Sequence, residues 1–366
     1  MQKRWLALVL LAAFGLAAAC NSAELKGAAS SGGTSSGGPE EEIPVDPIEG
    51  GRDPVADLDG GTIPTSTNVT IQVQPSDSGA QILSAIRGAT KSVHMTMYLL
   101  TNDQIIDALG DLTAAGKDVK VVLNQSFPPN GGNNTVAFNK LKARNVPVVY
   151  APAAYTFTHA KTVIIDGARV LIMTMNLTQT SARENREYIA TDADPADVAD
   201  AEKIFAADFA ATALTVNGKL VVSPQAATPI DSRARLKSLI DGAKKTLDVE
   251  VQSLSDGALT DALILAHQDK VAVRVVIASG FEASPAQKDA VAKLKAHGVP
   301  IRAAASPYIH AKALVVDGTR VFVGSHNFTP TALFNNREVG VVTDSAIEAA
   351  KVSAAIDQDF ASGVTP

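Results

Sequence analysis

The sequence contains one twenty-residue phrase twice. HAKTVIIDGARVLIMTMNLT begins at His159 and HAKALVVDGTRVFVGSHNFT begins at His310, an offset of 151 residues. The offset persists through Asp166 and Asp317, Asn176 and Asn327, Glu187 and Glu338, and Phe209 and Phe360. Upstream, Gly88 aligns with Gly242 and Lys91 with Lys245 after a small loop difference. The chain beyond its N-terminal stretch is therefore one unit of about 150 residues folded twice. With 46% apolar and 19% charged residues in 366, each copy can bury a core of its own. The periodicity predicts the same order in both copies. A helix (Ile82–Ala89; Leu236–Ala243) precedes a strand (Val93–Leu99; Leu247–Leu254), then a second helix and an apolar strand (Val119–Leu123; Val271–Ile277). Strands alternating with helices imply an α/β class, a sandwich around a largely buried sheet. The repeated phrase reads as a hairpin, because Asp166-Gly167 and Asp317-Gly318 each sit between β-branched runs.

The first residues carry a different message. MQKRWLALVLLAAFGLAAAC has a basic start and then no charge from Trp5 to Cys20, too short for a membrane span and suited to a signal peptide. Its end resembles the lipobox of bacterial lipoproteins, which implies a signal peptide over residues 1–19 and lipidation of Cys20. Cys20 is the only cysteine, so a disulfide framework and any cysteine-built metal site are excluded. A Gly/Ser run from Gly27 to Gly38 and then a Pro-rich acidic stretch read as a disordered tether over residues 20–66. Two repeats, residues 67–215 and 216–366, follow. Residues 39–60 hold eight acidic groups against Arg52, enough to account for the formal net charge of −6 and leave the folded part close to neutral. Export, with anchorage to the cell envelope, is the expected location; a soluble periplasmic or secreted protein is the alternative.

Within each hairpin, residues two apart share a face. His159 stands with Lys161, and His310 with Lys312; on the return strand Thr174 stands with Asn176, and Ser325 with Asn327. Each copy thus gathers an imidazole, an ammonium, a hydroxyl and an amide. No neighbouring acid or second histidine completes a metal site, and no cofactor is expected. Cationic and amide donors suit phosphate oxygens, and imidazole suits attack or proton transfer.

These residues carry a specific resemblance. His310, Lys312, Asp317, Gly324, Ser325 and Asn327 match the His-x-Lys-x4-Asp-x6-Gly-Ser-x-Asn motif of the phospholipase D superfamily. The first copy matches at His159, Lys161, Asp166 and Asn176, with Met173 and Thr174 in place of Gly-Ser. The resemblance implies two phospholipase D-like α/β/α sandwich repeats about a pseudo-twofold axis, with one active site between them. It implies metal-independent phosphodiester cleavage through a phosphohistidine, with His159 as nucleophile and His310 as general acid and base. Lys161, Lys312, Asn176 and Asn327 would hold the phosphate oxygens. Glu187 and Glu338, each 28 residues after its histidine within a repeated Asn-Arg-Glu, would orient the imidazoles.

Other residues are placed more simply. Asp166 and Asp317 are expected to serve the hairpin turn. Thr174 and Ser325 are assigned to substrate binding, with bracing of the loop as the alternative. Met173 adds bulk near the pocket. His326 should point off the active face and pack; His94 should be a strand residue of the core or pocket floor; His267 and His297 should be solvated. The loop from Phe127 to Thr135 either shapes the substrate entrance or is a plain surface loop.

The leading expectation is a phospholipase D-type hydrolase that releases phosphatidic acid and an alcohol from membrane phospholipid. The alternative is an anchored or secreted endonuclease acting on DNA or RNA, against which the neutral core and the 5% aromatic content count. A non-catalytic lipoprotein that binds phosphate headgroups is the third reading, suggested only by Met173. A chain that carries both motifs can complete its site as a monomer.

Overall fold

The computed structural model describes residues 63–128, 132–214, 216, 218–224, 231–280 and 284–366. The expected signal peptide, Cys20 and most of the expected tether lie outside the described residues. The tether ends earlier than Ser66, however. Ile63 is buried in the core of the second repeat, and the Ser66 N–H donates to Val342 O at 2.7 Å.

The first repeat runs β1 (Val69–Gln74), α1 (Ala80–Arg87), β2 (Ser92–Met97), α2 (Asp103–Ala114), β3 (Asp118–Leu123), α3 (Thr135–Ala143), β4 (Val148–Tyr150), β5 (Lys161–Ile165), β6 (Arg169–Met173), α4 (Ser181–Glu184), β7 (Asn185–Asp192) and α5 (Pro195–Ala210). The second runs β8 (Val221–Ser223), α6 (Ser232–Gly242), β9 (Thr246–Val251), α7 (Gly257–Gln268), β10 (Ala272–Ala278), α8 (Pro285–Ala296), β11 (Ile301–Ala304), β12 (Tyr308–Ile309), β13 (Lys312–Val316), β14 (Arg320–Gly324), α9 (Pro330–Phe334), β15 (Glu338–Thr343) and α10 (Ala346–Ser362). The strand orders β1-β7-β6-β5-β2-β3-β4 and β8-β15-β14-β13-β9-β10-β11 correspond strand for strand. Each sheet is mixed: β2 with β3 and β9 with β10 are parallel, while the hairpins are antiparallel.

The hairpin strands β5 and β13 are buried along their whole length, so their sequences are apolar on both faces. Val163 and Ile165 turn outward to a core shared with Ile82, Ile86 and Leu109, from α1 and α2. Ile164 turns inward to a core that also contains Val315 and Val323 of the second repeat, with Val198 of α5 and Val352 of α10. The two repeats therefore share one apolar interior. The turns follow their sequence: Asp166 and Gly167 have φ of 58° and 61°, Asp317 and Gly318 52° and 67°. Each turn aspartate accepts from three backbone N–H groups, of Thr90, Lys91 and Ser92 in one repeat and of Lys244, Lys245 and Thr246 in the other. These contacts tie each hairpin to the start of the adjacent strand and hold the aspartates at the end away from the histidines.

Two buried ion pairs fasten the repeats. Arg337 contacts Asp208 of α5 at 2.9 Å, and Arg186 contacts Asp359 of α10 at 2.5 Å. Each arginine also donates to a backbone carbonyl, Ser223 O for Arg337 and Gln74 O for Arg186. His94 does not line a pocket floor. It stacks on Phe205 of α5 and contacts Glu202 and Asp118 at the edge of that layer.

Removing one member of a buried pair leaves an uncompensated charge, which costs ~3–5 kcal/mol. Asp208→Leu alone and Arg337→Met alone are each expected to lose about that much in equilibrium urea unfolding. The double variant should lose clearly less than the sum, because the apolar pair leaves no stranded charge.

Candidate active site

Each motif histidine precedes its strand by two residues and is held there by the opposite repeat. The N–H groups of His159 and Ala160 both donate to Arg337 O, and the His310 N–H donates to Arg186 O. The isolated bridge of Thr158 with Arg337, and β12 alongside the start of β7, repeat that arrangement. The Asn-Arg-Glu segment of one half thus seats the histidine of the other.

The side chains follow the same crossing. His159 Nδ1 lies 3.0 Å from both carboxylate oxygens of Glu338, and His310 Nδ1 lies 2.8 Å from Glu187 Oε1. Each glutamate thus serves the histidine of the opposite repeat and not the one 28 residues before it. Asn185 and Asn336 donate to the same carboxylates, at 3.2 and 3.1 Å. An Nδ1–H held by a carboxylate leaves Nε2 as the working nitrogen.

Lys161 and Lys312 are fully buried. Lys161 Nζ donates to the His159 carbonyl and sits 4.9 Å from the centre of the Tyr98 ring. Lys312 Nζ donates to His310 O at 2.7 Å and to Gln252 Oε1 at 3.2 Å. Asn176 and Asn327 each follow the end of a return strand by three residues. Their Oδ1 atoms are buried without a hydrogen-bond partner among the described residues.

Burial pushes the basic groups down, and mutual repulsion adds to it. His159 is held well below the ordinary histidine range by burial and by Lys161 and Lys312. Burial takes His310 to about 4 and Lys312 to about 8, and Lys161 also falls well below its usual value. Glu338 is raised by its own burial. A buried cluster that holds two imidazoles and two amines this uneasily favours an anion beside it.

Three expectations are corrected. Thr174 and Ser325 are fully buried, and they contact the glutamates that hold the histidines. Thr174 Oγ1 donates to Glu187 Oε2 at 2.5 Å and accepts the Tyr188 N–H, while Ser325 Oγ accepts the Val339 N–H. Their hydroxyls brace the glutamate strands, the alternative to substrate binding. Met173 adds no bulk to the pocket, because it lies in the outer core with Leu171 and Ile189. The glycine opposite is required locally: a Cβ on Gly324 would stand 2.8 Å from both Gly340 Cα and the Phe322 ring. In the first repeat leucine replaces that phenylalanine, and the space it leaves takes the larger Met173 and Ile189 that stand for the two glycines.

His326 is buried edge-on against Phe322, with burial taking it to about 4. From the loop expected at the entrance, Phe127 packs on Tyr98, and Asn134 donates to Tyr98 O at 2.8 Å; residues 129–131 lie outside the described residues. His297, expected to be solvated, is half-buried, its Nδ1 against Lys293 O. Tyr98, Gln252, Arg186 and Arg337 are the residues that motif reading passed over. The two arginines recur at the 151-residue offset and could have been found that way. Among the described residues, no group of three or more histidine, cysteine or acidic side chains is arranged to hold a metal ion.

A pair of histidine–lysine hairpins in twofold sandwiches defines a site of the phospholipase D type. The chain belongs to the family described as "Cardiolipin synthase, PLD-like domain", which matches it twice, over residues 82–209 and 236–362. It is 35% identical over 115 residues to the mitochondrial cardiolipin hydrolase of Xenopus laevis, an alignment covering 31% of this chain and 54% of that protein. The human mitochondrial cardiolipin hydrolase is 32% identical over 112 residues, which cover 30% of this chain and 44% of its relative. The chain thus spans about half the length of these curated relatives. In fold it is similar to the phosphatidylserine synthase of Haemophilus influenzae, with a TM-score of 0.59 at 11% identity, covering 83% of this chain and 88% of that one.

An anion between the two lysines should raise the depressed groups. Dimethyl phosphate has no proton of its own to exchange near neutral pH, so any protons taken up must go to the protein. Titration calorimetry at about pH 7 in buffers of different ionisation enthalpy is expected to reveal net uptake on binding, in keeping with a free-state His310 of about 4. Equal heats in all buffers would contradict it.

Proposed function

We propose that this protein is a phospholipase D-type phosphodiesterase that hydrolyses the headgroup diester of membrane phospholipids through a phosphohistidine at His159. The observation that carries the reading is the pair of buried imidazoles, each with Nδ1 on a carboxylate of the opposite repeat and a buried lysine beside it. His159, neutral in this environment, attacks phosphorus through Nε2; the nitrogen–phosphorus bond forms as the bond to the headgroup oxygen breaks. His310, protonated in the presence of the bound anion, gives its Nε2 proton to the leaving oxygen. It then takes a proton from water, whose oxygen attacks phosphorus and releases His159. Lys161, Lys312, Asn176 and Asn327 hold the equatorial oxygens as charge builds, a role worth about 10²–10³ in rate for a single donor. Glu187 and Glu338 fix the tautomers.

The phospholipid assignment rests on the names of the relatives and on the N-terminal sequence. A signal peptide ending at a lipidated Cys20, followed by a tether, would keep the domain beside its substrate in the cell envelope, as a monomer with both motifs in one chain. Among the described residues, no helix is long and apolar enough to cross a membrane; the anchor in this reading is the lipidated Cys20, which the lipobox resemblance supports.

The protein is to be incubated, in chelator, with phosphatidylglycerol vesicles and separately with single- and double-stranded DNA and RNA. Phosphatidic acid and free glycerol are expected, falling by at least about 10³-fold in His159→Ala. Nucleic-acid cleavage beside intact vesicles would replace the lipid reading with that of an endonuclease. The crossed pairing makes a second prediction. In single-turnover experiments Glu338→Gln should slow phosphoenzyme formation, whereas Glu187→Gln should slow the proton transfers at His310, each by about 10–100-fold.

A further inference from the structure

The two halves of the site are not equivalent where they flank the phosphate position. Met97 pairs with Lys161 in one sheet and Val251 with Lys312 in the other, and the next residues are Tyr98 and Gln252. These matched positions bring opposite chemistry. The Tyr98 ring lies edge-on to His159 at 4.7 Å and continues into Phe127 at 4.9 Å and Phe157 at 6.1 Å. All three rings are half-buried. On the other side, Gln252 accepts from Lys312, and its Nε2 donates to the Tyr308 hydroxyl at 3.3 Å. Tyr308 occupies the position equivalent to Phe157, so the second repeat has an amide in place of the Tyr98 ring and a hydroxyl added to the ring at the Phe157 position.

We propose that this asymmetry admits a phospholipid in one direction only, with the diacylglycerol portion against Tyr98, Phe127 and Phe157 and a hydroxylated headgroup against Gln252 and Tyr308. The inference rests on the phospholipid reading above and deepens it. In an in-line displacement the leaving oxygen lies opposite His159 and next to His310, the side lined by Gln252 and Tyr308. Half-buried rings favour an apolar occupant, which leaves water for them. A site that hydrogen-bonds a hydroxyl discriminates strongly against an analogue without one. Direction then decides which ester bond breaks. As proposed, His159 acquires the phosphatidyl group, the bond to the headgroup oxygen breaks, and the headgroup leaves as an alcohol with the proton from His310. In the reverse direction His159 would acquire the headgroup phosphate, and diacylglycerol would leave.

The experiment compares phosphatidylglycerol vesicles with glycerophosphoglycerol, the same diester without acyl chains. Tyr98→Ala is expected to lower kcat/KM on the vesicles at least about tenfold more than on glycerophosphoglycerol, a ratio in which any general loss through His159 or Lys161 cancels. Gln252→Leu should reduce the preference for phosphatidylglycerol over phosphatidylmethanol, a ratio in which any general loss through Lys312 cancels. Mass spectrometry of the trapped enzyme, which needs no substitution at Tyr98, should find a phosphatidyl adduct on His159. A glycerophosphoryl adduct, or equal losses of Tyr98→Ala on both diesters, would overturn the proposal and leave Tyr98 acting only through Lys161. Wild-type protein that leaves both diesters intact would instead refute the phospholipid reading itself.

Discussion

The exchange of Asn-Arg-Glu segments across the pseudo-twofold axis is the contact on which the rest depends. One short segment does three things in each half. Its arginine carbonyl accepts the N–H of the opposite histidine, its guanidinium forms a buried pair with the last helix of the opposite repeat, and its glutamate takes the opposite Nδ1. Backbone position, domain docking and tautomer are thereby fixed by consecutive residues. Neither histidine can be correctly placed unless both repeats are folded and docked. A half of this protein could own every residue of the motif and still lack an oriented imidazole.

That dependence explains why so much unfavourable chemistry is tolerated in the middle of the molecule. Two amines, two imidazoles and two carboxylates are buried beside the apolar interior that the two repeats share. Lys312 illustrates the cost. Its folded value of about 8 lies below the 10.5 of a free lysine, so between those values the unfolded chain binds more protons and stability rises with pH. Below that window the full penalty is present. It is carried by the shared interior around Ile164 and Val315 and by the paired arginines. An arriving phosphate diester supplies the missing negative charge, so the strain of the empty site becomes affinity for the substrate.

Sequence reading reached the elements whose cause is local. The duplication, the Asp-Gly hairpins and the histidine–lysine faces follow from identity at fixed spacing, from turn chemistry and from the two-residue period of a strand. What it could not reach depends on partners far along the chain. Glu187 and Glu338 were visible as a repeated pair, but not which histidine each would serve, because spacing within one repeat carries no information about its rotation against the other. Thr174 and Ser325 share a face with the motif asparagines in an ideal strand, yet their hydroxyls are drawn to the β7 and β15 backbones. Met173 looked intrusive only because its compensating neighbours, Leu171 and Ile189, pack from strands whose pairing was unknown.

The most informative residues escaped for the opposite reason. Searching a duplicated chain for what recurs selects the machinery that both halves need, and passes over positions where the copies have diverged. Tyr98 and Gln252 occupy one structural position with unlike side chains, and so do Phe157 and Tyr308. A strictly twofold site would hold two equivalent histidines and could not tell the retained group of an asymmetric diester from the leaving one. The conserved half of the pattern makes the reaction possible, while the divergent half is where the substrate's two ends can be told apart. In a fold that arose by repetition, the differences between aligned side chains therefore carry the specificity, and they become legible only when the strands beneath them are in register.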